Sequence, residues 1–137
     1  EEKYGKIIPV LIRNSLEGKT TTIRGDGSVR RDFVYVGDIC RILENFIETH
    51  FSSPVNIVTG QAHTLRETAE ILNDITGGKT HVVYLEQEEN PRSLYFDNSL
   101  LRSLLGVDFA FTPLEEGLAS EYMHMKNLYE SMHGKSK

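Results

Sequence analysis

Two adjacent arginines, Arg30 and Arg31, stand between a glycine-rich turn and an apolar run, in a stretch that reads GDGSVRRDFVYVGD from Gly25 to Asp38. Gly25 and Gly27 permit positive φ angles and so a tight turn with an exposed backbone. A guanidinium group stays charged and can donate two parallel hydrogen bonds to phosphate or carboxylate oxygens. The residue types therefore predict that this turn places an arginine where it can bind an anionic ligand.

A structural role for Arg31 is the alternative. Its guanidinium could pair with Asp26, Asp32 or Asp38 and only stabilise the turn, since most surface arginines are solvated or paired. Arg30 is expected to be a solvated neighbour. These two interpretations of Arg31 predict different partners for its side chain.

Other chemistry finds little support in the sequence. Gly25-x-Gly27 lacks the Lys-Ser/Thr of a phosphate-binding loop and the third glycine of a dinucleotide-binding turn. The histidines form no i, i+4 pair and no cluster with acids that would predict a metal site. They are His50, His63, His81, His124 and His133.

The composition predicts one globular domain. The chain has 137 residues, of which 39% are hydrophobic, and a net charge of −5 that argues against a general nucleic-acid or anionic-membrane binder. No apolar run approaches the roughly 20 residues that span a bilayer. The single cysteine, Cys40, lies in an amphipathic helical pattern and is expected to be a small residue of the protein core in a reducing compartment, which favours a cytoplasmic location.

Hydrophobic periodicity predicts a mixed α/β fold of about five helices and five short strands. Helices are expected at 6–17, from a cap at Asp38 to Ile47, from a Thr64–Glu67 capping box to Gly77, and from a cap at Asp97 to Gly106. The last helix is expected to begin with a second capping box, Thr112–Glu115, with Pro113 at its first position. Strands are expected at Thr20–Arg24, Asp32–Val36, Val55–Val58, His81–Leu85 and Leu94–Phe96. We expect one domain over 1–133 and a frayed tail over 134–137.

The turn and strand resemble a motif of the extended short-chain dehydrogenase/reductases, the NAD(P)-dependent nucleotide-sugar epimerases and dehydratases. Two later stretches continue the resemblance: NIVTG from Asn56 with TLRE from Thr64, and LLG from Leu104 with PLEEGL from Pro113. The matched segments correspond to the C-terminal, substrate-binding part of this Rossmann-type family. Neither the family's Gly-x-x-Gly-x-x-Gly turn nor its catalytic Tyr-x-x-x-Lys is present, so the chain looks truncated and no turnover is expected from it alone.

The resemblance implies a set of site residues. Arg31 matches the arginine that contacts the diphosphate of the nucleotide sugar in several members, and Arg92 lies where many members have a second phosphate-contacting arginine. Thr22 and Arg24 match positions whose backbone lines the nucleobase, and Asn90 stands where an acid could bind a ribose hydroxyl. The family's Arg-Pro-Gly-Asp is replaced here by Gln87-Glu88-Glu89-Asn90, which weakens the expectation of tight diphosphate binding or indicates a different nucleotide sugar.

Each of these positions also has a simpler interpretation. Arg92 could be a solvent-facing arginine balanced by Glu88 and Glu89. Thr22 and Arg24 could be the exposed side chains of an edge strand, and Asn90 could be a turn former.

For the whole protein, the resemblance implies an NAD or NADP cofactor held outside this chain, with none expected on the chain itself, and a nucleotide-diphosphate sugar as the ligand. A second hypothesis, from a different class of function, is that the chain is a stand-alone binding or interaction domain that catalyses no reaction. Because Val55–Val58 and the apolar stripe Ile39–Ile47 would lack the cover they have in whole family members, we also expect a homodimer or strand exchange.

Overall fold

The fold is known from a computed structural model that describes residues 6–48, 53–86, 92–106 and 108–133. Its helices in these residues are α1 (Ile7–Glu17), α2 (Val36–Phe46), α3 (Leu65–Ile75), α4 (Ser99–Leu105) and α5 (Leu114–His133). Its strands there are β1 (Thr20–Arg24), β2 (Arg30–Asp32), β3 (Ala62–Thr64) and β4 (His81–Leu85). The predicted α/β class is confirmed, with four strands in place of five in this part of the chain.

Two small sheets organise these elements. β1 and β4 are parallel neighbours, with Thr20 opposite His81 and Arg24 opposite Leu85. β2 and β3 are antiparallel, and Arg31 lies opposite His63. The glycine-rich turn connects the first sheet to the second, so residues at the ends of β1 and β2 come from one continuous stretch of sequence.

The core lies where α1 packs on α3. Leu11 and Ile12 of α1 and Leu72 of α3 are fully buried, and Tyr122 and Met125 of α5 pack against this cluster. Burial of one large aliphatic side chain contributes about 1.5–3 kcal/mol. These helices and the β1–β4 sheet therefore form the stable base on which the β2–β3 sheet and its turn are placed.

Local sequence signals give the ends of two helices correctly. At the start of α3, the Thr64 hydroxyl accepts from the backbone N–H of Glu67, and the Glu67 carboxylate accepts from the N–H of Thr64. This is the predicted capping box. α1 ends at Gly18, whose φ of 66° lies in the left-handed region that favours glycine.

Three predicted strands are wrong. The strand predicted at Asp32–Val36 lies earlier, at Arg30–Asp32, because Val36 already opens α2. Val55–Val58 and Leu94–Phe96 form no strand, since neither run forms the regular backbone pairing of a sheet with a strand of the described residues. The antiparallel partner of β2 is instead Ala62–Thr64, which was not predicted.

Two predicted caps and the predicted position of Cys40 are also wrong. Asp38 lies in the first turn of α2 after an N-cap at Tyr35, and the Thr112 hydroxyl donates to Asp38 rather than capping α5. Cys40 is exposed because the buried side of α2 is the one that carries Ile42.

No helix of the described residues is both long and apolar enough to cross a bilayer.

Candidate functional site

The glycine-rich turn is fixed by hydrogen bonds from three directions. The N–H of Gly25 donates to the carbonyl of Leu85 at 2.8 Å, which extends the β1–β4 pairing by one residue. The Asp26 carboxylate accepts from the N–H of Ser28 at 2.9 Å inside the turn. The N–H of Arg66, at the start of α3, donates to the carbonyl of Gly27 at 3.0 Å. The turn is therefore held against β4 and α3 together.

Arg66 and Tyr84 cover the same turn with their side chains. The Arg66 guanidinium lies 4.2 Å above the centre of the Tyr84 ring and donates to the carbonyl of Asp26. Gly27 has a φ of +80°, and a Cβ added to it would lie 2.5 Å from the Tyr84 ring. Only glycine can adopt this backbone angle and also leave room for the Tyr84 ring, which explains why residue 27 is a glycine. The tight turn predicted from Gly25 and Gly27 is confirmed.

Arg31 leaves this turn along β2 and reaches toward a distant part of the sequence. Its Nη1 donates to the carbonyl oxygen of Arg92 at 3.0 Å and to the carbonyl oxygen of Arg30 at 2.8 Å. The structure therefore brings together the two arginines selected in the sequence analysis. Their contact is between the Arg31 guanidinium and the Arg92 backbone.

The carboxylates proposed as alternative partners of Arg31 are occupied elsewhere. Asp32 accepts from the N–H and hydroxyl of Thr59 at 3.0 and 2.8 Å and from the N–H of Gly60 at 2.8 Å. Asp38 pairs with Arg41, and Asp26 accepts from Ser28 within the turn. No carboxylate of the described residues forms an ion pair with Arg31, whose Nη1 bonds to two backbone carbonyls.

Arg92 is exposed, and no carboxylate of the described residues pairs with its guanidinium. The alternative in which Glu88 and Glu89 balance its charge lies outside the described residues. So does Asn90, the predicted ribose contact. The described part of the site is thus one half-buried arginine beside one exposed arginine.

The remaining predicted site residues lie on β1. Thr22 and Arg24 have exposed side chains that alternate with the buried Thr21 and Ile23 along the strand. The strand is paired with β4 on one side and ends directly before the glycine-rich turn. This is the alternating edge strand of the simpler interpretation, and it leaves their backbone role in base binding as a prediction.

Arg30 is not the solvated residue that was expected. Its Nη1 donates to the carbonyl of Ala62 at 2.9 Å, and its N–H donates to the Ser93 hydroxyl at 3.1 Å. Successive side chains of a strand point to opposite faces, so Arg30 bonds across β3 while Arg31 reaches the other way. Arg30 therefore stabilises the β2–β3 sheet, and Arg31 remains the candidate for ligand binding.

Four polar residues around the two arginines were missed. They are Asp32, Thr59, Ser93 and Asn98. Asp32 was considered only as a partner of Arg31, and the others come from segments far away in sequence. The sequence did contain one indication of this cluster. Asp32 directly follows Arg31 on a strand, so its carboxylate must point to the opposite face and needs hydrogen-bond donors of its own there.

A second polar cluster fixes α2 to the segment before α5. Asp38 is 1% exposed and accepts from the N–H of Thr112 at 2.8 Å and its hydroxyl at 2.9 Å, besides pairing with Arg41. Burial opposes ionisation of Asp38, but the hydrogen bonds from Arg41 and Thr112 outweigh it and hold the pKa of this carboxyl below its ordinary value. Arg41 also lies 4.7 Å from the centre of the Phe109 ring.

The turn from Gly25 to Gly27 does not have the geometry that binds the pyrophosphate of a dinucleotide. A pyrophosphate of that kind binds where a strand passes through a glycine-rich turn into a helix, at the helix N-terminus. The Gly25–Gly27 turn joins two strands, and its backbone is occupied by Leu85 and Arg66. The turn thus serves to place Arg31.

Comparisons with known proteins show which family the chain is similar to. The model of the NAD dependent epimerase/dehydratase family matches residues 1–59. UDP-glucuronic acid decarboxylase 1 of Danio rerio is 32% identical over 115 residues, which cover 83% of this chain and 27% of that protein.

Solved structures extend the similarity to the whole described fold. The UDP-glucose 4-epimerase of Thermotoga maritima with UDP-glucose matches with a TM-score of 0.78 and 28% identity, covering 93% of this chain and 42% of that one. The UDP-glucuronic acid 4-epimerase of Bacillus cereus, in complex with UDP-glucuronic acid and NAD, matches with a TM-score of 0.78 and 29% identity, covering 90% and 40%. The chain spans less than half the length of these relatives.

Proposed function

Because the chain is related to the NAD-dependent nucleotide-sugar epimerases and dehydratases over part of their length, we propose that it is a substrate-binding portion of such an enzyme. Its ligand is a nucleoside-diphosphate sugar, and Arg31 and Arg92 bind the diphosphate. The portion is not catalytic alone. The hydride chemistry of the whole enzyme requires NAD or NADP, held outside these residues.

The observation that carries the proposal is the contact between Arg31 and Arg92. A hydrogen bond of 3.0 Å joins residues 61 positions apart, and no described carboxylate pairs with either guanidinium. An arginine that only stabilised the turn would pair with one of the aspartates beside it, and all three have other partners.

Two guanidinium groups in one site suit a diphosphate. Each can donate hydrogen bonds to phosphate oxygens, and a charge-assisted bond is about twice as strong as a neutral one. Arg31 Nη1 is already held by two carbonyl oxygens, so the group enters binding with part of its conformational entropy already lost. Arg92 is exposed and supplies the more adaptable second contact.

The other predicted contacts belong to the same proposal. Thr22 and Arg24 precede the turn that places Arg31, so the backbone of β1 is close enough in sequence to line the base of the same nucleotide. Asn90 would bind the ribose. We propose a cytoplasmic location for the enzyme, where the one cysteine of this chain stays reduced.

The test is a calorimetric titration of the chain with UDP-glucose, UDP and UMP. UDP should bind more tightly than UMP, because the second phosphate meets the second arginine. Arg31→Ala and Arg92→Ala should each weaken UDP-glucose binding at least about tenfold, the usual effect of losing a hydrogen bond to a charged group.

Lys79→Ala is the matched control, since it also removes one positive charge. Lys79 is exposed and follows the C-terminal end of α3, whereas the β2–β3 sheet lies at its N-terminal end. An α-helix of this length separates the two places by about 16 Å. Equal binding of UDP and UMP, or equal losses in all three variants, would refute the proposal.

A further inference from the structure

The segment Arg92–Asn98 is attached to β2 at its first residues. The carbonyl of Arg92 accepts from Arg31, and the Ser93 hydroxyl accepts from the N–H of Arg30 at 3.1 Å. That N–H is not used in pairing with β3, so the segment occupies the other edge of β2. The position of Arg92 relative to Arg31 is set by these two bonds at one end.

The same segment is attached a second time at its last residue. Asn98 Nδ2 donates to the carbonyl of Thr59 at 2.8 Å. Thr59 is itself held by the Asp32 carboxylate, which belongs to β2. A Cβ added to Gly60 would lie 2.6 Å from Asn98 Nδ2, so the amide packs directly on this backbone. The hydrogen bonds from Asn98 to Thr59 and from Thr59 to Asp32 thus connect the segment to β2, the strand that carries Arg31.

The middle of the segment has little apolar burial of its own. Leu94, Tyr95 and Phe96 are 48%, 71% and 49% exposed. A segment with few buried apolar contacts opens easily unless specific polar contacts hold it. Its conformation therefore depends on the bonds at its two ends.

We infer that Asn98 is a positioning residue of the two-arginine site, which keeps Arg92 beside Arg31 through Thr59 and Asp32. The inference rests on the proposed function. Without the Asn98 amide the segment loses its bond to Thr59 and is held at that end only through α4, where the N–H of Arg102 donates to the Asn98 carbonyl. Arg92 then samples positions in which it cannot reach the same diphosphate as Arg31. Binding of a single phosphate through Arg31 does not require this support.

The test compares Asn98→Ala with Asn45→Ala in the same chain. Asn45 Nδ2 also donates to a backbone carbonyl, that of Arg41 at 2.8 Å, but within α2. By calorimetry, Asn98→Ala should weaken UDP binding about threefold to tenfold, leave UMP binding within about twofold, and so reduce the preference for UDP. Asn45→Ala should leave both unchanged.

A second measurement separates this inference from the proposed function. In ¹⁵N spectra of arginine side chains, UDP should shift the signals of Arg31 and Arg92 in the parent chain, but only that of Arg31 in Asn98→Ala. Shifts of both signals with an unchanged UDP preference in Asn98→Ala would overturn the positioning role alone. No shift of either signal in the parent chain would overturn the diphosphate site and the positioning role together.

Discussion

Arg31 Nη1 donates a hydrogen bond of 3.0 Å to the carbonyl oxygen of Arg92, and no carboxylate of the described residues pairs with either side chain. The contact joins β2 to a segment that lies 61 positions away in the sequence. In the proposed site, the phosphates of the ligand supply the negative charge for both guanidinium groups.

Arg31→Lys should weaken UDP-glucose binding, but less than Arg31→Ala. A lysine keeps the charge, but its single ammonium cannot both replace the bond to the Arg92 carbonyl and donate as a fork to phosphate. We expect affinity about threefold to tenfold below that of the parent chain. Calorimetry at two salt concentrations checks this, because the remaining charge should keep the affinity salt-dependent. A lysine variant as tight as the parent would show that only charge matters at this position.

Gly27→Ala should destabilise the fold more than Gly77→Ala. Both glycines have positive φ, but only at Gly27 would the new methyl group meet a neighbour, the Tyr84 ring at 2.5 Å. Strain in the left-handed region costs about 1–2 kcal/mol, and overpacking adds about 1–3 kcal/mol. The free energy of unfolding, from urea titrations, should fall by about 1 kcal/mol for Gly77→Ala and about 3 kcal/mol for Gly27→Ala.

The role of Tyr84 can be separated from that of the backbone angle. In a Tyr84→Ala background the ring is absent, so Gly27→Ala should cost no more than Gly77→Ala does. An unchanged cost in that background would mean that the backbone angle accounts for the whole effect.

The stability of the fold should depend on Asp38 in acid. Because its pKa is lowered in the folded chain below the ordinary 3.8, the unfolded chain binds the proton first as the pH falls. The stabilisation is complete above the unfolded pKa and is lost as the pH falls through the folded pKa. Asp38→Asn should flatten this part of the curve, and Thr112→Val, which removes one of the two Thr112 donors, should flatten it partly. Urea titrations across the acid range test this, and parallel curves for all three chains would contradict it.

Elements determined by neighbouring residues were predictable from the sequence. The Thr64–Glu67 capping box and the apolar spacing of α1 depend on residues within one or two turns, and both are confirmed. The pairing of Arg31 with Arg92 spans 61 positions and followed from family resemblance, since no local pattern relates the two.

Elements that depend on distant partners were not predictable. Aspartate is a common helix N-cap, but Asp38 lies within the first turn of α2, where its carboxylate bonds to Thr112 and Arg41 instead. Val55–Val58 has strand composition but forms no regular backbone pairing with a strand of the described residues. The positioning role inferred for Asn98 likewise depends on Thr59, which precedes it by 39 positions.

The chain should self-associate through one apolar surface. An open cleft lies between α2 and the following residues 53–57, lined by Leu43, Phe46, Ile47, Val55 and Ile57 among others. Leu43 of α2 is 54% exposed, and Ile47, which directly follows α2, is 79% exposed. Both belong to the apolar stripe Ile39–Ile47 that was expected to need a partner. Contiguous apolar surface of this kind is typical of association sites, and a second copy of the chain is the partner always present in a pure sample.

Sedimentation velocity over a wide concentration range measures this association. The average mass should rise with concentration, and Leu43→Lys with Ile47→Lys should return the chain to a monomer, because two charges would have to be buried in the contact. Met132→Lys is the matched control, since Met132 is 75% exposed on α5, away from the cleft. A parent chain that stays monomeric at every concentration would contradict the prediction. Association lost equally in the control would mean that added charge alone accounts for the loss, and it would contradict the cleft as the contact surface.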